Sequence, residues 1–193
     1  MGWLSKFRGV LAAFLVGLAL AIAPGFAFGG QSLVRGRWEV VCRGPDGSIK
    51  WVERFWNIVV TEGLNELLSV TLDAGSQSTT WYVGLKGTGT PNAADTMGSH
   101  ASWSEITPYS DATRPQWNGG TVAAGSVDNS ASKASFTANA TATVYGAFLS
   151  SNSTKGGTTG KLYAVGNFSS TKDIASGDTL QVTATFTTAD DGV

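Results

Sequence analysis

The chain has 193 residues with a net charge of −1, and only 14% of the residues are charged. A charge so close to zero excludes a nucleic-acid binder that depends on phosphate contacts, and the content of Trp, Phe, Val and Leu excludes a chain that is disordered by composition. Cys42 is the only cysteine and His100 the only histidine, so neither an internal disulfide nor a metal cluster of these ligands can form. We therefore expect no cofactor, no metal site and no nucleic-acid partner.

The N-terminal segment, residues 10–28, is an uncharged apolar run that follows Lys6 and Arg8. A run of about 18 or more apolar residues is long enough to cross a bilayer as a helix. A short basic flank, an apolar middle and small residues near its end are also typical of a secretory signal. Membrane contact through residues 10–28 is therefore one interpretation of this segment.

The same segment also suits a helix that is buried in a protein assembly. Small residues recur at every fourth position from Gly9 to Ala21, and this spacing permits close approach of two helices. A cleaved signal, a membrane-inserted helix and an assembly-buried helix all lie outside the folded domain. The predicted organisation is a hydrophobic N-terminal anchor over residues 1–30 and one domain over residues 31–193.

Two strands are predicted at the start of the domain, over residues 37–43 and 48–55. The tetrapeptide between them, Gly-Pro-Asp-Gly at 44–47, is a turn signal because proline presets φ and glycine allows a positive φ. Residues 58–61 are expected to continue the strand material. Cys42 falls in the apolar pattern of the first strand, which predicts a buried side chain.

One helix is predicted in the domain, over residues 62–73, where leucines recur at helical spacing. Thr61 is the expected N-cap, and Asn65 and Glu66 are expected on the side that faces water. The side predicted to face the core consists of Leu64, Leu67, Leu68 and Leu72.

The middle of the domain is predicted to contain few regular elements. Residues 81–86 are predicted to form a strand, 95–100 a short turn of helix and 103–106 a short strand. A long irregular loop is expected over residues 107–120, because the apolar residues there follow neither a helical nor an alternating pattern.

The last third of the chain has the pattern of an antiparallel sheet. Strands are predicted over residues 133–138, 143–150, 161–168 and 178–187, separated by clusters of Gly, Ser, Thr and Asn. Alternation in the last strand places four apolar residues on one face: Leu180, Val182, Ala184 and Phe186. The predicted fold class is mainly β, an antiparallel β-sandwich of the Ig-like or jelly-roll-like kind, with one short helix and an N-terminal hydrophobic helix.

Signals for catalysis are weak in this chain. Any nucleophilic triad would have to use His100, and no serine lies in a nucleophile-elbow pattern. Asp95, Glu105 and Asp111 could supply a pair of glycosidase carboxylates, but acids are common on long loops without catalysis. We therefore expect a protein that is not an enzyme, in which His100 is a loop residue that forms local hydrogen bonds.

A cluster of aromatic residues and one cation lies in the irregular middle of the chain. Its members are Trp103, Tyr109, Arg114 and Trp117. If these side chains are exposed, they form a contact surface for a carbohydrate or a protein. The alternative, which we favour, is that the tryptophans plug one end of the sandwich with Arg114 stacked over them.

Six segments spread over residues 35–192 carry a resemblance to a known family. They are RGRWEVVCRGPDGSIKW, NIVVTEGLNELL, WYVGL, AADTMGSHASWSEITPYSDATRPQW, GAFLSSNSTKGGTTGKLYAVGNF and GDTLQVTATFTTADDG. Together they resemble a family of small bacteriophage structural proteins, described as tail-fibre-like or as hypothetical virion proteins. The resemblance implies a virion component and implies no enzymatic residue.

Three classes of function follow from these observations. The first is a non-enzymatic bacteriophage virion protein, either a tail or fibre component anchored by its N-terminus or a capsid decoration protein. Its expected partners are other virion proteins of the tail, portal or capsid, further copies of the chain, and a host surface receptor. The second is a membrane-anchored or exported binding module of the bacterial envelope. The third, a glycan-cleaving depolymerase, is disfavoured because the chain is short and poor in paired carboxylates.

Overall fold

The computed structural model of this protein describes residues 34–188, and within that range the chain forms eleven strands and one α-helix. The elements are β1 (Val34–Arg43), β2 (Ile49–Trp56), β3 (Ile58–Val59), α1 (Thr61–Leu72), β4 (Trp81–Lys86), β5 (Glu105–Ile106), β6 (Gln116–Trp117), β7 (Ser126–Asp128), β8 (Ala134–Thr137), β9 (Ala142–Ser150), β10 (Leu162–Ile174) and β11 (Thr179–Thr188). The predicted anchor over residues 1–30 lies outside the described residues and stays a prediction.

The strands form two antiparallel sheets. The five-stranded sheet has the order β2-β1-β11-β7, with β8 also paired to β11. The six-stranded sheet has the order β3-β10-β9-β4-β5, with β6 also paired to β4. One hydrophobic core takes side chains from both sheets, among them Trp38 and Val182 from the first and Leu85 and Leu149 from the second. The prediction of a mainly β, antiparallel fold is therefore confirmed.

Strands from the first part of the domain pair with strands from the last part in reverse order. β1 pairs with β11, β3 with β10, and β4 with β9. These partners are far apart in sequence, so the core is complete only after both ends of the domain have come together.

The hairpin of β1 and β2 forms where the sequence predicts it. Gly47 donates its N–H to the Gly44 carbonyl over 2.9 Å, and its φ of 81° is a conformation that glycine adopts without steric cost. Asp46 accepts hydrogen bonds from the Ser48 N–H and hydroxyl, which holds the turn. Cys42, just before the turn, is fully buried as predicted.

Strand β11 divides its side chains between the core and the outer face, as its alternation predicts. Leu180, Val182 and Ala184 are fully buried, and Phe186 is almost so. The threonines and the glutamine between them are half-buried on the other face. A slip of one residue would exchange the two faces, so the alternation determines the register with β1.

Helix α1 lies where the sequence predicts it, with Leu64 against the core and Asn65 exposed as predicted, but four other side chains of the helix are placed opposite to the prediction. Leu67, Leu68 and Leu72 were expected in the core, and they are 37%, 54% and 81% exposed. Glu66 was expected to face water, and it is buried. The predicted apolar side of the helix is therefore largely on the surface, with only Leu64 packed against the core.

The close approach of α1 to β10 decides this orientation. A Cβ on Gly63 would lie 2.3 Å from the Tyr163 carbonyl oxygen, so the helix presents its glycine side to the sheet. Glu66 lies on the same side one turn later, where it forms an ion pair with Lys161 and accepts a hydrogen bond from the Ser78 N–H. The smallest residue therefore marks the buried side, which a search for apolar periodicity does not detect.

Gly63→Ala is expected to destabilise the protein even though alanine is the better helix former by about 1 kcal/mol. The added methyl group must push α1 away from the Tyr163 backbone, and overpacking of this kind typically costs about 1–3 kcal/mol. Urea unfolding should therefore show a lower free energy of unfolding for Gly63→Ala than for the parent. Asn65→Ala, at an exposed position of the same helix, is the control and should leave the stability unchanged or slightly raised. A stabilised Gly63→Ala variant would contradict the tight contact.

Several local predictions need correction. Residues 95–100 form turns with an isolated β-bridge instead of a turn of helix. The N-cap of α1 is Val60, without a side-chain capping bond, and not Thr61. The loop predicted over 107–120 contains β6, and β7 was not predicted. Both are short strands that exist because they pair with β4 and β11, and local sequence does not encode that pairing.

Candidate functional site

The four residues of the predicted contact surface lie mostly inside the domain. Trp103, Tyr109 and Arg114 are buried, and only Trp117 is partly exposed. The exposed contact surface is therefore not formed, because these side chains have internal partners. The expected stacking of Arg114 over a tryptophan also needs correction, since its guanidinium carbon lies 5.1 Å from the ring centroid of Phe148.

Arg114 and Glu105 form a buried bidentate ion pair. Nε and Nη2 of Arg114 donate to the two carboxylate oxygens over 3.0 and 2.7 Å. Arg114 also donates hydrogen bonds to two carbonyls of the loop between β9 and β10. Nη1 donates to the Asn152 carbonyl over 2.8 Å, and Nη2 donates to the Gly157 carbonyl over 2.7 Å. Glu105 also accepts the Gly156 N–H over 2.8 Å. The pair therefore holds this loop against β5.

Lys155 attaches the same loop at a second point. Its ammonium donates to the carbonyls of Tyr109 and Asp111 over 2.8 and 2.6 Å, and it lies 4.3 Å from the centroid of the Tyr109 ring. The Tyr109 ring packs edge-on against Phe136 in the core, with centroids 5.0 Å apart. Burial raises the pKa of the Tyr109 phenol above its ordinary value. Tyr109 therefore acts as a core residue.

Trp103 packs between His100 and Phe148. Its ring stacks on His100 with centroids 4.0 Å apart and lies 5.2 Å from the Phe148 ring. The indole N–H donates to the Asp95 carboxylate over 2.8 Å. His100 Nδ1 lies 3.1 Å from the Trp103 carbonyl oxygen, so His100 has the local hydrogen bond that the sequence predicts.

His100, Trp103 and Phe148 border a cleft of about 280 Å³, which is the candidate site. It is lined by Met97, His100, Trp103, Ser104, Glu105, Arg114, Phe148, Gly156, Gly157 and Thr158. The two charged side chains of the cleft are already paired with each other, so a charged ligand would have to break a buried ion pair. The cleft thus offers aromatic faces, an imidazole and hydroxyl groups, a set that suits a small uncharged group.

The arrangement of the carboxylates does not favour glycoside cleavage. That reaction needs two carboxyl groups that face a common substrate space. Glu105 is held by Arg114, and Asp95 accepts hydrogen bonds from Trp103 and from the Asn92 N–H, the latter over 2.9 Å. Asp95 and Glu105 are thus both directed at internal donors, whereas Asp111, the third predicted carboxylate, is exposed.

Trp117 borders a separate apolar pocket that opens between the two sheets. Its Nε1 donates to the Ala184 carbonyl over 3.1 Å, and its ring packs edge-on against Phe186 with centroids 5.8 Å apart. The pocket holds about 150 Å³ and is lined by Trp81, Trp117, Val127, Leu149, Tyr163 and Phe186. Trp117 is therefore held between the two sheets by a hydrogen bond and a ring contact, both to residues of β11.

Lys86 is a buried ionisable residue that sequence reasoning did not identify. Its Nζ donates to the carbonyls of Gly87 and Gly89 over 2.9 and 2.5 Å and lies 5.9 Å from the centroid of the Trp103 ring. Burial lowers the pKa of Lys86 to about 8, and the negative charge of Asp95 only partly offsets this. A lowered pKa is typical of nucleophilic lysines, but this ammonium is enclosed by backbone carbonyls and does not line the cleft.

Cys42 does not supply a nucleophile. It is fully buried, and burial raises the pKa of its thiol to about 11, whereas the thiolate is the reactive form. Among residues 34–188, no group of three or more His, Cys, Asp or Glu side chains could hold a metal ion.

The chain matches no protein-family model and has no significant match among curated proteins. Within the described part of the chain, no helix has the length and apolar character needed to cross a bilayer. The resemblance to bacteriophage structural proteins therefore stays a hypothesis that depends on the sequence motifs.

The Lys50–Asp178 ion pair is expected to make the stability of the fold depend on pH. Asp178 is buried and accepts hydrogen bonds from Lys50 Nζ over 2.5 Å and from the Ala175 N–H over 2.8 Å. Burial acts to raise the pKa of Asp178, but these two donors outweigh it, so the pKa lies below its ordinary value. Such a carboxylate stabilises the fold above its unfolded pKa, and the contribution is lost as the pH falls through the folded pKa.

The free energy of unfolding is therefore expected to fall as the pH drops below about 4. Asp178→Asn should be less stable than the parent at neutral pH and should show a smaller fall in acid, measured by urea unfolding from neutral pH down to about pH 3. Asp73→Asn, at an exposed position, is the control and should keep the parent profile. If the free energy of unfolding of Asp178→Asn depended on pH as that of the parent does, Asp178 would not be the source of the acid sensitivity.

Proposed function

We propose that this protein is a non-enzymatic structural component of a bacteriophage virion, part of a tail or fibre appendage and anchored by residues 1–30. The distribution of exposed apolar side chains carries this proposal. Seven of the eight large hydrophobic residues exposed within residues 34–188 come from one stretch of chain: Ile49, Val52, Trp56, Ile58, Leu67, Leu68 and Leu72. A component of an assembly buries such side chains, whereas an isolated domain gains nothing from exposing them.

The use of charged groups supports a structural role. Arg114, Glu105 and Lys155 hold the loop between β9 and β10, and Asp95 holds Trp103. A catalytic site keeps its acid, base or nucleophile available to substrate. Here the groups with that chemistry are used to hold loops, which suits a rigid part of an appendage.

The strand pairing combines two patterns. The pairs β1–β11, β3–β10 and β4–β9 join the two ends of the domain, whereas β1–β2 and β9–β10 join strands that follow each other in the chain. This pairing does not select between the jelly-roll-like and the Ig-like form of the sandwich. Capsid decoration is a variant of the proposal, since it also needs only a β domain and an anchoring segment.

A membrane-anchored or exported envelope binding module is the alternative. The length of the apolar run over residues 10–28 favours it. The burial of Trp103, Tyr109 and Arg114 weighs against this alternative, because a binding module would expose these residues as its ligand surface.

Mass spectrometry of purified phage particles, grown on the natural host and washed at high salt, tests the proposal. Recovery of this chain at a stoichiometry comparable to other minor virion proteins, with peptides from residues 1–30, is the expected result. The major capsid protein of the same particles provides the internal standard, and an abundant host envelope protein measures contamination. Absence from the particles, with recovery in the host envelope fraction, would overturn the proposal in favour of the binding module.

A further inference from the structure

Four aromatic side chains surround the apolar pocket that opens between the two sheets. Trp81 and Trp117 are partners across β4 and β6, while Tyr163 belongs to β10 and Phe186 to β11. The ring centroid of Tyr163 lies 5.3 Å from that of Trp81 and 5.3 Å from that of Phe186. The Phe186 centroid lies in turn 5.8 Å from that of Trp117. The four rings, which we name the aromatic cage, therefore follow one another around the pocket.

The rings of the aromatic cage meet at steep angles. Their planes are 63°, 88° and 77° apart at the three ring contacts. Each contact is of the edge-to-face kind that aromatic pairs prefer over a face-to-face sandwich. Rings that differ this much in orientation do not form one parallel stack, so they bound the pocket from different directions.

The surrounding structure holds the cage in this arrangement. Trp117 Nε1 donates to the Ala184 carbonyl over 3.1 Å, which fixes the indole against β11. A Cβ on Gly119 would lie 2.6 Å from the Trp117 ring, so this glycine allows the chain to pass close to the indole. A ligand therefore meets a preformed site, and little of its binding energy is lost in ordering side chains.

The pocket is open to solvent and large enough for a small organic group. Leu149 and Phe186 are 2% and 6% exposed, whereas Trp81, Trp117 and Tyr163 are half-buried at the opening. The volume of about 150 Å³ equals that of an apolar cavity that can hold benzene. A trimethylammonium group has fewer heavy atoms than benzene and therefore fits.

The chemistry of the lining favours a methylated cation. None of the six residues that line the pocket is charged, so no cation of the protein competes for the ring faces. Aromatic faces attract a cation through the ring quadrupole, and proteins recognise quaternary ammonium groups in this way. A primary ammonium would lose hydrogen bonds to water that an apolar lining does not replace. A trimethylammonium group has no N–H to satisfy, so it avoids this cost.

We propose that the aromatic cage binds the trimethylammonium group of a choline-type ligand. This group occurs in free choline and phosphocholine and also in lipid headgroups. A ligand site of this kind goes beyond the proposed virion role and does not depend on it. Incorporation into particles can succeed while choline fails to bind, and the reverse.

Two ligands of the same shape test this proposal on the purified full chain. Neohexyl alcohol is the uncharged analogue of choline, with carbon in place of the quaternary nitrogen. Choline chloride should bind about tenfold more tightly than neohexyl alcohol, a factor that corresponds to a cation–π contribution of about 1.4 kcal/mol. NMR titration, following the indole N–H signals of Trp81 and Trp117, measures both affinities. Sodium chloride at equal concentration controls for ionic strength.

Two variants locate the binding site. Trp81→Leu keeps an apolar side chain but removes one ring of the cage, so most of the preference for choline over neohexyl alcohol should be lost. Trp56→Leu is the matched control, because Trp56 is 63% exposed and does not line the pocket. This variant should bind choline as the parent does. Urea unfolding verifies that both variants are folded.

Three results would each overturn the proposal. Equal affinities of the parent for choline and neohexyl alcohol would show that the pocket recognises apolar volume alone. Indole signals of Trp81 and Trp117 that do not respond to choline would show that the cage does not bind it. A choline preference that persists in Trp81→Leu would place the site elsewhere. The comparison of ligands uses only the parent, so it decides the matter even if Trp81→Leu does not fold.

Co-sedimentation with phosphatidylcholine vesicles distinguishes the two sources of the group. Sedimentation of the parent with the vesicles, reduced by free choline, would support the proposal with a lipid headgroup as the ligand. Choline binding without sedimentation would support it with free choline or phosphocholine as the ligand.

Discussion

Arg114→Ala is expected to lower the free energy of unfolding by about 3–5 kcal/mol, because removing one partner of a buried ion pair leaves the other charge uncompensated. The Arg114 side chain is fully buried and that of Glu105 is 6% exposed, so water cannot replace the guanidinium. The Asn152 and Gly157 carbonyls lose their donors as well. Urea unfolding at neutral pH, followed by tryptophan fluorescence, measures the loss.

Arg54→Ala is the matched control, since it also removes an arginine from a pair with glutamate. Arg54 Nε lies 2.7 Å from Glu39, but the two side chains are 58% and 34% exposed. Solvent weakens such a pair, and the expected loss is about 1 kcal/mol or less. Losses of equal size in Arg114→Ala and Arg54→Ala would contradict the importance assigned to burial.

Replacing both partners separates the cost of an unpaired buried charge from the cost of losing the attachment of the loop. Arg114→Met combined with Glu105→Gln leaves no buried charge, so it should cost less than Arg114→Ala alone. The loop between β9 and β10 would still lose its attachment. The Gly156 amide donates a hydrogen bond to Glu105 in the native protein. Hydrogen exchange at this amide should therefore become faster in Arg114→Ala and in the double variant.

Trp38→Ala is expected to cost about 3–5 kcal/mol, since it opens a cavity in the centre of the core. Trp38 is fully buried, and its ring centroid lies 5.8 Å from that of Phe55 and 6.2 Å from that of Phe186. These partners come from the two strands that flank β1. The cavity would therefore loosen the contact at both edges of β1.

Two further variants show whether the volume of the ring explains this loss. Trp56→Ala, on the exposed face of β2, should change the stability by no more than about 0.5 kcal/mol. Trp38→Phe should cost less than Trp38→Ala, because the indole N–H has no hydrogen-bond partner among the described residues and its removal breaks no bond. A Trp38→Phe variant as unstable as Trp38→Ala would contradict a loss due to volume.

The stabilising contacts and the exposed apolar side chains lie in different parts of the chain. The ion pair of Arg114 holds the loops around the cleft, whereas the exposed apolar residues come from residues 49–72. A variant at Leu67, Leu68 or Leu72 can therefore be used to probe assembly while the core and the loop contacts stay intact. This separation allows the proposed function to be tested without unfolding the domain.

Elements that depend on near neighbours in sequence could be predicted. The strand over residues 81–86 matches β4, and the Gly-Pro-Asp-Gly turn lies between β1 and β2. The candidate site could be predicted only in part. The chain segment that contains Trp103, Tyr109 and Arg114 was identified, but the partners of Arg114 were not. Arg114 is buried only where Glu105 and the loop carbonyls of Asn152 and Gly157 meet it.

The sequence by itself determined the mainly β class, the turn between the first two strands and the buried face of β11. These follow from φ preferences and from period-two alternation, which are properties of adjacent residues. Only the tertiary structure decided which side of α1 is buried, because Gly63 meets the backbone of Tyr163, a residue one hundred positions away. It also decided the role of Arg114, since a long cationic side chain becomes internal only where a carboxylate and backbone carbonyls together replace its water.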